Sequence, residues 1–127
     1  MTIEELKSFR GLMAEYKQLN DQIRNLYRNI RSPFNPSGSH SMTPGDPTNA
    51  AAMKIIDLKE QAKDLQIRIT GELEVIEAWL ITVEDAEVRA IVRAHYINGK
   101  TWKQTASEVY GYADPATPRK RIRRYFC

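Results

Sequence analysis

Two apolar runs of equal length restrict what this chain can become. Leu6, Phe9, Met13, Tyr16, Asn20, Ile23, Tyr27 and Ile30 follow the alternating three- and four-residue spacing of a heptad seam. Ile55, Leu58, Ala62, Leu65, Ile69, Glu72, Ile76 and Trp79 repeat it. That spacing keeps one stripe on one face of an α-helix and does not fit the two-residue period of a strand. Each run spans about 36 Å of helix at 1.5 Å per residue. Leu12, Leu19 and Leu26 widen the first stripe, and Thr2 followed by Glu5 reads as a capping box at its start. Asn20, polar at an a position, either fixes register or is a partly exposed polar residue. Gly71 and Glu72 interrupt the second seam and are expected to mark a bend or a change of packing partner.

Between the runs, residues 32–48 hold four of the chain's six prolines and no periodicity. This stretch reads as a mobile loop or a functional arm. Two helices of matched apolar length joined by a loop are expected to fold back as a long antiparallel helical hairpin, a coiled coil, over residues 1–81. Two helices bury little by themselves, so the wide stripes favour self-association as a homodimer. The alternative is that the rest of the chain covers them.

Residues 82–127 read as three shorter helices. Thr82 to Asp85 resembles a helix start, and Val88, Ile91, Val92 and Tyr96 form the inward face of the helix that follows. Asn98-Gly99 ends it with a turn favouring positive φ. Thr101 with Gln104 forms a second capping box, with Trp102, Ala106 and Val109 facing inward and Gly111 as the stop. Asp114-Pro115 then supplies an N-cap and a proline at the first helical position, with Pro118 delaying regular helix to Thr117. The expected fold class is therefore all-α, a helical hairpin over 1–81 followed by a helix-turn-helix domain over 82–127.

Charge divides the same way. Residues 82–127 carry nine Lys/Arg and five Asp/Glu, a net of +4, whereas residues 1–81 carry ten and eleven, a net of −1. Arg119, Lys120, Arg121, Arg123 and Arg124 cluster at the end of the chain without an acid among them, while Ile122, Tyr125 and Phe126 recur at helical spacing. An apolar anchor with a cationic outer surface suits a polyanion, and double-stranded DNA is the leading partner. If helix 114–126 enters the major groove, Ile122 and Phe126 face inward. Thr117, Arg119, Lys120 and Arg123 then reach base edges. Lys100, Thr101, Lys103, Arg121 and Arg124 suit phosphate, assisted by the amides at Trp102 and Lys103.

Other chemistry is poorly supported. Gly99-Lys100-Thr101 lacks the upstream glycine of a phosphate loop, since Ala94 stands there. His40 and His95 have no second His or Cys at ligand spacing, and Cys127 stands alone at the end of the chain. The expectation is no metal, no cofactor, no small-molecule substrate and no enzymatic activity. Glu72, Glu74 and Glu77 read as a solvated helix face, and Tyr110 and Tyr112 as core or turn packing. The apolar runs are too short for a membrane span and no signal-peptide core is present, so a cytoplasmic location is expected.

The segment from Val88 to Ala106, followed by Gly111 and the Arg-rich end, resembles the fourth region of bacterial sigma factors. It is most similar to phage-encoded regulators of that kind, the late-gene activators and ArpU-like proteins. The matching positions are Tyr96, Gly99, Thr101, Trp102, Thr105 and Ala106, within a resemblance covering residues 82–126. Thr105 replaces a branched apolar residue, the interval from Ala106 to Gly111 is one residue longer than usual, and Pro118 stands where valine is frequent. The resemblance implies a transcription regulator that binds promoter or operator DNA, with RNA polymerase as a further candidate partner. Two other readings are a small-terminase-like DNA-packaging component and a protein-interaction module with a basic tail.

Overall fold

The computed structural model describes residues 1–30 and 47–127, and all regular structure among them is helical. Helix α1 spans Ile3–Ile30, α2 Pro47–Thr82, α3 Ala86–Ile91, α4 Trp102–Tyr110 and α5 Ala116–Tyr125. A π-helical turn, Val92–Ile97, continues α3. Residues 32–46, including His40, lie outside the described residues. The expected loop 32–48 is shortened at its far end, because Pro47 opens α2, where a missing N–H is tolerated.

The two capping boxes form as expected. In α1 the Glu5 amide donates to Thr2 Oγ1 at 3.2 Å and the Thr2 amide to Glu5 Oε2 at 3.4 Å. In α4 the Gln104 amide donates to Thr101 Oγ1 at 3.1 Å and the Thr101 amide to Gln104 Oε1 at 2.9 Å. Helix α2 continues through Gly71 and Glu72, and the division between the chain's contact units falls close by, after Ile67. A glycine within a helix costs about 1 kcal/mol, which the neighbouring buried Ile69 and Ile76 offset.

By contact the chain divides into two units, and the division falls within α1 and α2 rather than between residues 81 and 82. One unit is Glu15–Ile67, the other Met1–Ala14 together with Arg68–Cys127. In the first, Ile23 of α1 is buried with Ile55, Leu58 and Ala62 of α2, flanked by partly buried Tyr16, Leu19 and Leu26. Lys59 donates to the Tyr27 hydroxyl, with its ammonium 4.8 Å from the centre of that ring.

The second unit has the larger core. Leu6 and Phe9 of α1 are buried in it, as are Ile76 and Leu80 of α2. They join Val83, Val88, Ile91, Val92, Tyr96, Ala106 and Ile122. The first fourteen residues, expected to serve only the hairpin, thus belong with the C-terminal helices. Arg10 accounts for part of this: its Nε donates to the His95 carbonyl at 3.0 Å, and its Nη2 to those of Gly99 and Lys100 at 3.4 Å. A cation there suits the His95 carbonyl in the last turn of the helix and the two carbonyls just beyond it.

The helix boundaries of this unit have local causes. Thr82 closes α2, its hydroxyl donating to the Trp79 carbonyl at 2.6 Å, and Asp85 is the N-cap that starts α3. Gly99 (φ 73°) and Gly111 (φ 82°) take the left-handed conformation after the π-turn and after α4. Asp114 accepts from the Ala116 amide at 3.1 Å, but α5 begins at Ala116, so Pro115 is its N-cap rather than its first residue and Asp114 lies one position before the cap. Pro118 does not delay the helix. As the third helical residue it occupies a turn whose amides have no intrahelical acceptor, and its ring is buried.

Candidate nucleic-acid interface

Helix α5 is fixed along one side and free along the other. Ile122 and Pro118 are buried, Phe126 is half-buried, and its ring stacks on Trp79 of α2. Tyr125 meets the same indole edge-on at 6.4 Å. Arg119, Lys120, Arg123 and Arg124 follow the spacing i, i+1, i+4, i+5, which places them on one arc of the helix. All four are exposed, and none pairs with a carboxylate among the described residues. Adjacent guanidinium and ammonium groups left in water repel one another, and an anion brought against them relieves that repulsion.

Other residues expected at the site have partners within the protein. Thr117 is half-buried and its hydroxyl donates to Asp114 Oδ2 at 3.1 Å, so its O–H is already engaged at the start of α5. Lys100 pairs with Glu108. Arg121 turns away from the exposed arc and binds two carboxylates of α3's first turn, Asp85 and Glu87, the latter at 3.4 Å. Its guanidinium, expected at phosphate, is here occupied by the protein's own acids. At the start of α4, Lys103 and Thr101 are exposed. The Thr101 oxygen accepts the capping bond, which leaves its O–H to donate outward.

His95 is buried and contributes no charge. Its ring lies parallel to Trp102, with centroids 3.6 Å apart, and Nδ1–H donates to the Lys100 carbonyl at 2.7 Å. Burial first, and then the Arg10 guanidinium, lower its pKa from 6.5 to about 4. Burial, followed by the hydrogen bond to Glu87, raises the Tyr110 phenol above its usual range. Tyr110 thus packs and bonds inside the fold, whereas Tyr112 beyond Gly111 is exposed.

A groove of about 740 Å³ lies between α4 and α3 with its π-turn, and Ala86, Ala90 and Ala94 are among its lining residues. Its charged walls are already paired. Arg93 holds Glu77 with both carboxylate oxygens at 3.0–3.1 Å, so Glu77 is not merely solvated as its sequence suggests. Glu108 holds Lys100, and Glu87 holds Tyr110 and Arg121. No group of three or more His, Cys, Asp or Glu among the described residues is placed to hold a metal ion. No helix among them is long and apolar enough to cross a membrane.

Three participants escaped the sequence reading: the Asp85–Glu87 pair that receives Arg121, Arg10 on the helix end, and Trp79 beneath Phe126. Only the first had a signal, an acidic helix start matched by an excess of arginines. No known protein-family pattern, curated protein sequence or solved structure matches the chain.

Proposed function

We propose that the chain is a sequence-specific DNA-binding transcriptional regulator, of phage or prophage type, that reads the major groove with α5. The observation that carries this reading is the two-sided character of α5. Its apolar side is held by Ile122, Pro118 and the Phe126–Trp79 stack, and its other side offers four cations that pair with no carboxylate among the described residues. Arg119, Lys120 and Arg123 are assigned to base edges, where a guanidinium can contact O6 and N7 of guanine together. Arg124, Lys103 and the Thr101 hydroxyl are assigned to phosphates. The resemblance of residues 82–126 to the fourth region of sigma factors supports the same reading, and makes the turn between α4 and α5 part of a helix-turn-helix.

The protein acts as a homodimer in this proposal, with the hairpin of α1 and α2 as the dimerisation module. Supporting this, α2 leaves large apolar side chains in water. Met53, Ile56 and Ile67 are 65%, 58% and 64% exposed in one unit, and Ile81 is 85% exposed in the other. A helix apolar on faces that nothing covers is usually covered by a partner.

Selection from a pool of random duplexes tests the function. The purified protein should enrich one short sequence, and footprinting should place a single protected site on it. Retention of duplex without sequence enrichment, together with ring-shaped oligomers in light scattering, would instead assign it to DNA packaging. No retention of duplex, combined with affinity for an RNA polymerase subunit, would make it a protein-interaction module.

A further inference from the structure

We infer that Arg121 is a positioning residue, a clamp that fixes the orientation of α5 and so determines base selectivity without touching DNA. The inference rests on the DNA-binding reading for its consequence, and on geometry alone for the clamp.

Each carboxylate that meets Arg121 divides its two oxygens between two tasks. Asp85 Oδ1 accepts from the amides of Glu87 at 2.9 Å and Val88 at 3.4 Å, and Oδ2 is left for Arg121. Glu87 Oε1 accepts from the Tyr110 hydroxyl, and Oε2 lies 3.4 Å from Arg121 Nε. Both acids are thus oriented by the scaffold before Arg121 arrives. The N-cap of α3, the last residue of α4 and the middle of α5 are tied together through one guanidinium. The Arg121 side chain is only 26% exposed, and those of Asp85 and Glu87 are 35% and 38% exposed, so solvent screens the contacts incompletely. A forked guanidinium can satisfy two separate acceptors in fixed directions, whereas an ammonium is a single point.

Position in sequence adds to this. Arg121 lies beside Lys120 and Ile122, at the border between the exposed arc and the buried side of α5. A contact at that border resists rotation of the helix about its own axis, from the side opposite the Phe126–Trp79 stack. Base readout needs donors aligned with fixed acceptors on a base edge, so a small rotation of α5 removes it. Phosphate contact tolerates such a rotation, because long cationic side chains follow the backbone.

Arg121→Gln and Arg121→Lys test this, with Glu87→Gln as a check from the other side. Binding is measured on the duplex selected from the random pool and on the unselected pool, across a salt series. The inference expects Arg121→Gln to lower discrimination tenfold or more while the slope of log K against log [salt] stays unchanged. Arg121→Lys should recover part of that loss. A slope that falls by about 0.9, with discrimination retained, would make Arg121 a phosphate ligand and overturn the clamp. Amide hydrogen exchange on the free proteins separates the clamp from the DNA reading. In Arg121→Gln and Glu87→Gln the α5 amides should exchange faster while those of α3 hold. If wild type has no duplex affinity, the functional reading fails, yet the clamp still stands or falls on that exchange. Unchanged α5 protection in both variants would refute it.

Discussion

The Phe126 ring stacks on the indole of Trp79, with centroids 5.8 Å apart and 25° between the planes. The contact joins the residue after α5 to the last turns of α2. Trp79 is half-buried, so Trp79→Ala should cost about 2 kcal/mol, less than the roughly 3–5 of a fully buried tryptophan. Denaturant unfolding measures that loss. Because α5 frays without its aromatic anchor, affinity for selected and random duplex should fall together.

Thr105 is wholly buried in α4 and its hydroxyl has no hydrogen-bond partner among the described residues. A buried hydroxyl without a partner is a desolvation penalty that the fold carries for nothing in return. Thr105→Val has nearly the same shape and should raise stability by about 1 kcal/mol. A lower unfolding midpoint for the variant would mean that the hydroxyl is bonded in solution.

His95 gives stability a pH dependence. Its folded pKa of about 4 lies below the ordinary value of 6.5, so the unfolded chain takes up the proton first. Stability from this residue is complete above pH 6.5, falls as pH drops, and is lost through pH 4. Unfolding midpoints measured from pH 7.5 to 4.5 should decline, and His95→Gln should flatten that decline. An equal slope in both proteins would mean that His95 is accessible to protons in the folded state.

Exposed Ile67 lies on α2 opposite the side that carries Leu58 and Ala62. Ile67→Glu should therefore leave the helical content of the chain unchanged and lower the mass measured by sedimentation to that of a monomer. A wild-type protein that is itself monomeric at high concentration would remove the dimerisation proposal.

The sequence makes legible whatever depends on local rules. Capping residues Thr2, Glu5, Thr101 and Gln104, stop residues Gly99 and Gly111, and inward Val88, Ile91, Tyr96 and Ile122 all stand where spacing and turn chemistry put them. Legibility ended where long-range pairing decided the outcome. Nothing near Arg10 announces that it will bind carbonyls some ninety residues away. Arg121 looks like its neighbours Lys120 and Arg123 in sequence, and only the facing carboxylates of Asp85 and Glu87 separate it from them. At Gly71 the sequence allows a bend or a change of packing partner; α2 runs on through it, because a single glycine penalty is small beside the flanking burial, and the division between contact units falls close by, after Ile67. Pro118 suggested a late helix start, but first-turn amides are dispensable.

Arg119 and Arg124 share the exposed arc but are assigned different work. Arg119→Ala or Arg123→Ala should reduce preference for the selected duplex by about 1–3 kcal/mol per lost base contact. Arg124→Ala should weaken selected and random duplex alike and lower the salt slope by about 0.9. Equal effects from all three substitutions would merge the two roles.

The most direct measurement is duplex binding by wild type and by a variant with Arg119, Lys120, Arg123 and Arg124 all changed to Gln, titrated with salt. Wild type should bind with affinity that falls steeply as salt rises, and the variant, folded to the same helical content, should bind neither selected nor random duplex. Equal binding by the two proteins, or none by wild type at low salt, would contradict a role for α5 in reading DNA.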